Sequence, residues 1–317
     1  MPCLTCHSRN HARDRAVTQY AYRNRTNARP LKEREFPRGT PADPRRILLA
    51  LQYYNGDRTP AQGLVDLICK LAPKPYKTVD FLLSARLDAD PPDRETLEQL
   101  EKTFDNAVFF RGRRRANGWP HAPNELWHDT VQFIYEMDIA QKLPRYSGIQ
   151  FLESDDTPLC PDWVERLTDE WIKLHTNVMG HLLPSGWRDH INGNCMISGS
   201  PAFLQAITRI GGAPPAQGWD WAIAPRFKAW GWSDTFAIRS DWNCQSSPAG
   251  YLELLLAQGT VLHHGVKDGS LKRQVRRKYL PEDKSLSSSN LSYIKVAEKL
   301  DKTPRSVHNT DEQDVVL

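Results

Sequence analysis

The chain has 317 residues, 39% of them apolar and 25% charged, with ten each of Trp, Tyr and Phe. That is enough to build the core of one large domain or two small ones. The longest apolar run, Ile47 to Leu51, falls far short of the roughly 20 residues that a membrane-spanning helix needs. The net charge of +4 is concentrated at the start: residues 1–44 hold nine Lys/Arg against four Asp/Glu, and the remainder holds 33 against 34.

The N-terminus is polar and Arg-rich, without the apolar region of a secretory leader. The six cysteines (Cys3, Cys6, Cys69, Cys160, Cys195 and Cys244) follow no regular spacing. Together these features fit a reducing, intracellular setting with free thiols. Residues 1–44 lack apolar periodicity and read as a basic, irregular arm, suited to a polyanion such as nucleic acid or simply to solvent. Cys3 to His7 matches the C-x-x-C-H haem pattern, but no export signal accompanies it. Cys3, Cys6 and His11 have the first three spacings of a zinc knuckle, with Ala16 where the fourth ligand belongs.

Ordered structure is expected from Arg45. Arg46 to Tyr54 is a continuous apolar run of the kind found inside a parallel sheet, ending in a turn at Asn55-Gly56-Asp57. A helix follows near Pro60 to Leu71. Val79 to Arg86 is a second strand, and Asp93 caps a helix running to Phe104. A third strand, Ala107 to Arg111, enters the basic run Arg111 to Arg115. A turn-rich loop from Ala116 to Asn124 then gives way to a helix from about Glu125 to Gln141. A fourth strand ends at Leu152, and its helix runs from Pro161 to Leu174 with Asp162 as the cap. This alternation predicts an α/β fold with a mostly parallel central sheet flanked by helices over residues 45–280. Beyond residue 175 the signals shorten. There are short signals at Val178 to His181 and Asn192 to Ser198, a helix from Pro201 to Ile210, and a short apolar strand from Thr260 to His263. A Trp-rich segment lies between, at residues 219–232. Residues 281–317 read as a polar tail with one helical piece, Tyr293 to Leu300.

The fourth strand stops at four consecutive polar residues, Glu153, Ser154, Asp155 and Asp156. Carboxylates just past the C-terminal end of a buried strand stand where open α/β sheets bind ligands. Strand alternation would turn Glu153 and Asp155 to one side and Ser154 to the other. Two hard oxygen donors on one side suit a divalent cation carrying a diphosphate; an acidic strand-to-helix turn is the plainer reading.

The order of features is informative. Asp57 follows the first strand, FLESDDTPLCPDW follows the fourth, and then come HINGN (residues 190–194), Asp220 between two Trp, and HHGVKDGS (residues 263–270). This series resembles metal-dependent nucleotide-sugar glycosyltransferases of the GT-A fold. In particular it resembles phage-encoded enzymes that glycosylate hydroxymethylated pyrimidines in DNA. The resemblance covers roughly residues 46–270, with Glu-Ser-Asp in place of the family's Asp-x-Asp. It implies a single GT-A-like domain acting in the cytoplasm of an infected bacterium, a nucleotide-sugar donor such as a UDP-sugar, and double-stranded DNA as acceptor.

It also implies roles for individual residues. Asp155 and His264 would ligate Mn²⁺ or Mg²⁺, the mixed oxygen and nitrogen set favouring Mn²⁺. Glu153 would bind ribose or a metal-bound water, and Lys267 a phosphate. Asp57, Gly118, Asn124 and Asn192 would contact the donor, as would His190 and Asn194. Asp220 would be the general base of an inverting transfer, or would orient the acceptor in a retaining one. Its Trp neighbours would desolvate it or stack on the acceptor. His263 would face away from the site, as a structural residue. Arg111 to Arg115 would meet donor or acceptor phosphates, and Lys272, Arg273, Arg276, Arg277 and Lys278 the phosphates of DNA. Two other functions remain compatible: the same transfer to a polysaccharide or protein hydroxyl, and nucleic-acid binding without catalysis.

Overall fold

The computed structural model describes residues 43–114, 118–184, 189–210, 217–241 and 244–281. The cysteine and histidine cluster of the arm, nearly all of the arm itself, the polar tail and its helical piece lie outside these residues.

The first half alternates strand and helix as expected: β1 (Ile47–Tyr53), α1 (Arg58–Leu71), β2 (Val79–Ala85), α2 (Arg94–Thr103), β3 (Ala107–Arg111), α3 (His121–Ile139), β4 (Gly148–Leu152), β5 (Thr157–Pro158) and α4 (Trp163–Leu174). A single 3-10 turn, Asn55–Asp57, joins β1 to α1. The second half is more broken: β6 (Val178–Gly180), β7 (Leu182–Leu183), β8 (His190–Ile191), β9 (Met196–Ser198), α5 (Pro201–Thr208), α6 (Trp219–Trp230), β10 (Trp232–Asp234), β11 (Ile238–Ser240), α7 (Tyr251–Ala257), β12 (Leu262–His264) and α8 (Ser270–Tyr279).

Among the described residues, seven strands form the main sheet in the order β10-β6-β9-β4-β1-β2-β3. The pairs β4-β1, β1-β2, β2-β3 and β10-β6 are parallel, and β9 runs antiparallel between β4 and β6. The pleat sends alternate residues of β1 into two cores. Ile47, Leu49 and Leu51 join Leu64 and Ile68 of α1 and Trp163 and Leu167 of α4 on one face. Leu48 and Ala50 join Trp127 and Val131 of α3, Phe203 of α5 and Phe227 of α6 on the other. Helices therefore cover both faces, which is why β1 and β2 read as unbroken apolar runs. A second sheet, β11-β12-β5, packs beside the first, with β11 and β12 parallel. Helices α7 and α8 close this side through Leu252, Leu255, Leu271 and Val275.

Three boundaries differ from expectation. Helix α3 begins at His121, inside the expected loop. The Trp-rich segment is a helix, α6, despite Pro225 within it. Asp162 stands at the N-cap of α4 but makes no side-chain capping bond, whereas Asp93 does cap α2, accepting from Thr96 N–H.

Candidate active site

Past Leu152 the chain leaves the sheet, so strand alternation is not what aligns Glu153 with Asp155. The device is a tight turn closed by Asp156. Its carboxylate accepts the Glu153 N–H at 2.7 Å, and its own N–H donates to the Glu153 carbonyl at 3.1 Å. Asp156 is fully buried, and burial pushes its carboxyl well above the usual range. Asn194, also fully buried, donates its amide to the Asp156 carboxylate and to the Phe151 carbonyl. This inward-facing pair holds the turn so that Glu153 and Asp155 face out of it.

They face His264, at the end of β12. His264 Nε2 lies 3.3 Å from Asp155 Oδ1 and 3.4 Å from Glu153 Oε2. One donor atom from each of the three residues falls within 4.8 Å of the others. Burial opposes a charge on His264, but the Glu153 and Asp155 carboxylates outweigh it and hold its pKa well above the ordinary histidine value. Asp155 is half-buried, which opposes its charge, yet His264 and Lys267 lower its pKa below the usual range. Lys267 Nζ pairs with the second Asp155 oxygen. Lys272 Nζ donates to the Ser154 carbonyl at 2.6 Å, and burial draws its pKa down to about 8. Asp57 approaches from the end of β1. Burial, reinforced by Asp155 and Glu153, raises its pKa to about 6.

The donor set is two carboxylates and one imidazole, a combination that fits Mn²⁺ or Mg²⁺ and leans toward Mn²⁺. Glu153 stands as close to His264 as Asp155 does, so the structure places it with the metal-type donors rather than apart from them.

Asp220 lies in the first turn of α6. Its Oδ1 accepts the Trp221 N–H at 2.8 Å, and its Oδ2 is 4.0 Å from His190 Nε2. Burial raises its pKa, opposed by His190. Trp219 anchors this turn by stacking on Trp127, ring centroids 4.0 Å apart, and both Trp219 and Trp221 line the cleft described below. Gly193 sits between the two halves of the site: a Cβ there would come within 3.2 Å of Trp219 and 3.5 Å of Glu153.

These groups line one cleft of about 2140 Å³ over the C-terminal ends of β1 and β4. Of the residues named above for donor, metal or base, Asp57, Gly118, Asn124, Glu153, Asp155, His190, Asn192, Asp220, His264 and Lys267 open onto it, and Asn194 does not. Two of them also have internal partners. Asn124 donates to the Gln217 carbonyl at 2.8 Å, tying α3 to the start of α6. Asn192 Oδ1 accepts the Asn194 N–H at 3.0 Å.

The remaining residues named from the sequence fall as follows. Asn194 faces inward, to Asp156, because the carboxylate there needs a donor. Arg113 pairs with Glu136, and Arg114 with Glu125 and Asp129, so carboxylates of α3 engage the basic run. The second basic cluster is helix α8, whose Leu271 and Val275 are buried. Arg276 bonds Asp66, Lys278 pairs with Glu253, and Arg273 with Asp268. Lys272, Arg273, Arg276 and Arg277 border the cleft. His263 is fully buried, with Asp241 and Tyr251 at its Nε2.

Sequence reasoning passed over Ser240, whose Oγ lies 2.9 Å from His264 Nδ1, and Lys272 as a cleft residue. A serine in a short strand carries no signal of its own. Lys272 was visible as a base but not as one turned to the Ser154 carbonyl at the cleft.

No protein-family model matches the chain, and no curated protein matches it. Many solved structures are similar to it, among them the following three. S. aureus TarS in complex with UDP-GlcNAc aligns at 10% identity over 60% of this chain and 56% of that one, with a TM-score of 0.40. The mannosyltransferase PcManGT from Pyrobaculum calidifontis, in complex with GDP-Man and Mn²⁺, aligns at 11% over 71% and 64%, with a TM-score of 0.39. LgtC aligns at 7% over 69% and 86%, with a TM-score of 0.42. The chain thus spans little more than half the length of the TarS structure, and all three likenesses are distant. No helix among the described residues is long and apolar enough to cross a membrane.

Proposed function

We propose that this chain is a metal-dependent glycosyltransferase that moves a sugar from a nucleotide-sugar donor to a hydroxyl acceptor. The observation that carries this is the meeting of Glu153, Asp155 and His264 at one point of a cleft that also holds Lys267 and, further along, Asp220. Small-molecule sites commonly measure about 300–1,000 Å³, so a cleft of 2140 Å³ has room for donor and acceptor together.

Glu153, Asp155 and His264 would hold Mn²⁺ or Mg²⁺. When bound, the ion supplies Lewis-acid neutralisation of the diphosphate leaving group. Lys267, beside Asp155, adds a fixed positive charge where negative charge accumulates as the anomeric C–O bond breaks. Asp57, Gly118, Asn124 and Asn192 shape the donor side. Asp220 takes the proton of the acceptor hydroxyl; its raised pKa makes it a stronger base than an exposed carboxylate. A base acting directly on the acceptor supports inversion.

For the acceptor we favour a hydroxymethylated pyrimidine in double-stranded DNA, whose nucleotide would leave the stack to enter the cleft. The support is the resemblance of FLESDDTPLCPDW, HINGN and HHGVKDGS, together with the excess of five positive charges in residues 1–44. Such a protein would work in the cytoplasm of a phage-infected cell. The test is mass spectrometry of nucleosides from hydroxymethyl-pyrimidine DNA incubated with protein, Mn²⁺ and a panel of sugar nucleotides. A mass gain of one sugar on the modified base supports the whole reading. Transfer to glycan or protein hydroxyls but not to DNA replaces the acceptor alone. DNA binding that survives Asp155→Ala, with no donor consumed, replaces the enzyme with a binding protein.

A further inference from the structure

Residue 264 is held by residue 240. Ser240 and His264 are register partners in the parallel pair β11-β12, and Ser240 Oγ approaches His264 Nδ1 to 2.9 Å. Ser240 is 2% exposed and does not line the cleft, so it acts on the site only through His264. Its backbone is fixed in turn: the Ser240 N–H lies 3.1 Å from His181 Nδ1, and the following Asp241 N–H donates to the His264 carbonyl at 2.9 Å. The neighbouring histidine is tied by the neighbouring residue. Asp241 Oδ2 lies 3.2 Å from His263 Nε2 and accepts from Tyr251 at 2.6 Å. The last residue of β11 and the residue after it thus contact two adjacent histidines of β12, which point toward opposite faces.

An imidazole ligates through whichever nitrogen lacks a proton, and the partner of the other nitrogen fixes that choice. We propose that Ser240 is the positioning residue of the metal centre: its hydroxyl accepts the Nδ1 proton of His264 and so presents the Nε2 lone pair to the point faced by Glu153 and Asp155. This rests on the metal-dependent reading above. Without the hydroxyl, His264 can take either tautomer and its ring loses the contact that sets its orientation. Loss of a partner of this kind typically weakens metal binding by about 10–100-fold.

The experiment is Mn²⁺ titration of the full chain, followed by electron paramagnetic resonance of the free ion, for the native protein, Ser240→Ala and Ser240→Thr. Thermal melting of each metal-free protein is recorded in parallel. The expected result is a 10–100-fold weaker Mn²⁺ affinity for Ser240→Ala and recovery toward the native value for Ser240→Thr, which restores a hydroxyl. A merely structural serine would lower the melting temperature and leave the affinity of the folded protein alone; that outcome overturns the proposal while sparing the metal site. Failure of the native protein to bind Mn²⁺ overturns both. Should Ser240→Ala not fold, ¹⁵N imidazole spectra of the native protein with Zn²⁺, assigned against His264→Asn, decide the point. Protonated Nδ1 with metal-shifted Nε2 agrees with the proposal, and the reverse pattern contradicts it.

Discussion

Asp155 Oδ1 lies 3.3 Å from His264 Nε2, although one residue follows β4 of the main sheet and the other ends β12 of the second. The antiparallel pairing of β12 with β5 makes this possible: Leu262 faces Pro158 and His263 faces Thr157. The two-residue β5 returns the chain from the acidic turn onto the second sheet. Because Thr157 directly follows Asp156, the pairing of β5 with β12 fixes how far the carboxylates stand from the histidine.

Replacing Asp220 by Asn removes the proposed base while keeping its shape. We expect kcat for sugar transfer to fall by about 10²–10⁴-fold, with donor and Mn²⁺ affinities unchanged. The base must be ionised, and burial raises its pKa, so native activity should climb with pH through a midpoint above the ordinary Asp value of about 3.9. Rate profiles of both proteins check this: the acidic limb should vanish in Asp220→Asn. An unchanged kcat would assign the proton transfer elsewhere.

Asp156→Ala removes the buried carboxylate that closes the acidic turn, leaving the Glu153 N–H and the Asn194 amide without their acceptor. A buried donor left unpaired costs about 1–3 kcal/mol, so denaturant unfolding should show a loss of that order or more. Mn²⁺ affinity should fall as well, since Glu153 and Asp155 lose their support. A variant as stable as the native chain would show that the turn holds itself.

The first half of the fold was legible because its signals are local. β1 and β2 are unbroken apolar runs, and α2 carries its capping Asp93 in the sequence. The site was legible in outline because chemistry-bearing residues cluster at strand ends, as Glu153 and Asp155 do. What the sequence hid was direction. Four polar residues in a row give no hint that Asp156 points inward, since its partner Asn194 arrives from a distant loop. Helix α6 was hidden because its Trp and Phe residues surround it without a clear polar stripe and Pro225 interrupts it. The bases of α8 were legible as a cluster, but their partners Asp66, Glu253 and Asp268, two of them on other elements, were not.

Asp241 offers a test of stability against pH. The hydrogen bond from His263 draws its carboxyl well below the usual range, against the opposing effect of burial; Tyr251 and Arg239 add to the lowering. A carboxylate depressed on folding stabilises the protein above its unfolded pKa of about 3.9 and loses that contribution as pH falls toward the folded value. Asp241→Asn should therefore be less stable at neutral pH by about 1–3 kcal/mol, with the gap closing below about pH 4. Melting curves from pH 3 to 8 measure it; a gap independent of pH would contradict the linkage.

If the arm engages duplex DNA, its nine Lys/Arg should appear in the salt dependence. Each neutralised phosphate contributes about −0.9 to the slope of log affinity against log salt. Deleting residues 2–44 should flatten that slope and weaken DNA binding at low salt, with Mn²⁺ affinity unchanged. An identical slope for both chains would remove the arm from the acceptor contact.

The most direct test of the central claim is release of nucleoside diphosphate from a UDP-sugar with the hydroxymethyl-pyrimidine acceptor present, measured against Mn²⁺ concentration for the native chain, Asp155→Ala and His264→Ala. The account predicts a saturable Mn²⁺ requirement in the native chain and a rate lower by about 10²–10³-fold or more in both variants, each assayed below its own melting temperature. Turnover in the native chain that is indifferent to Mn²⁺, or that survives both substitutions, would contradict it.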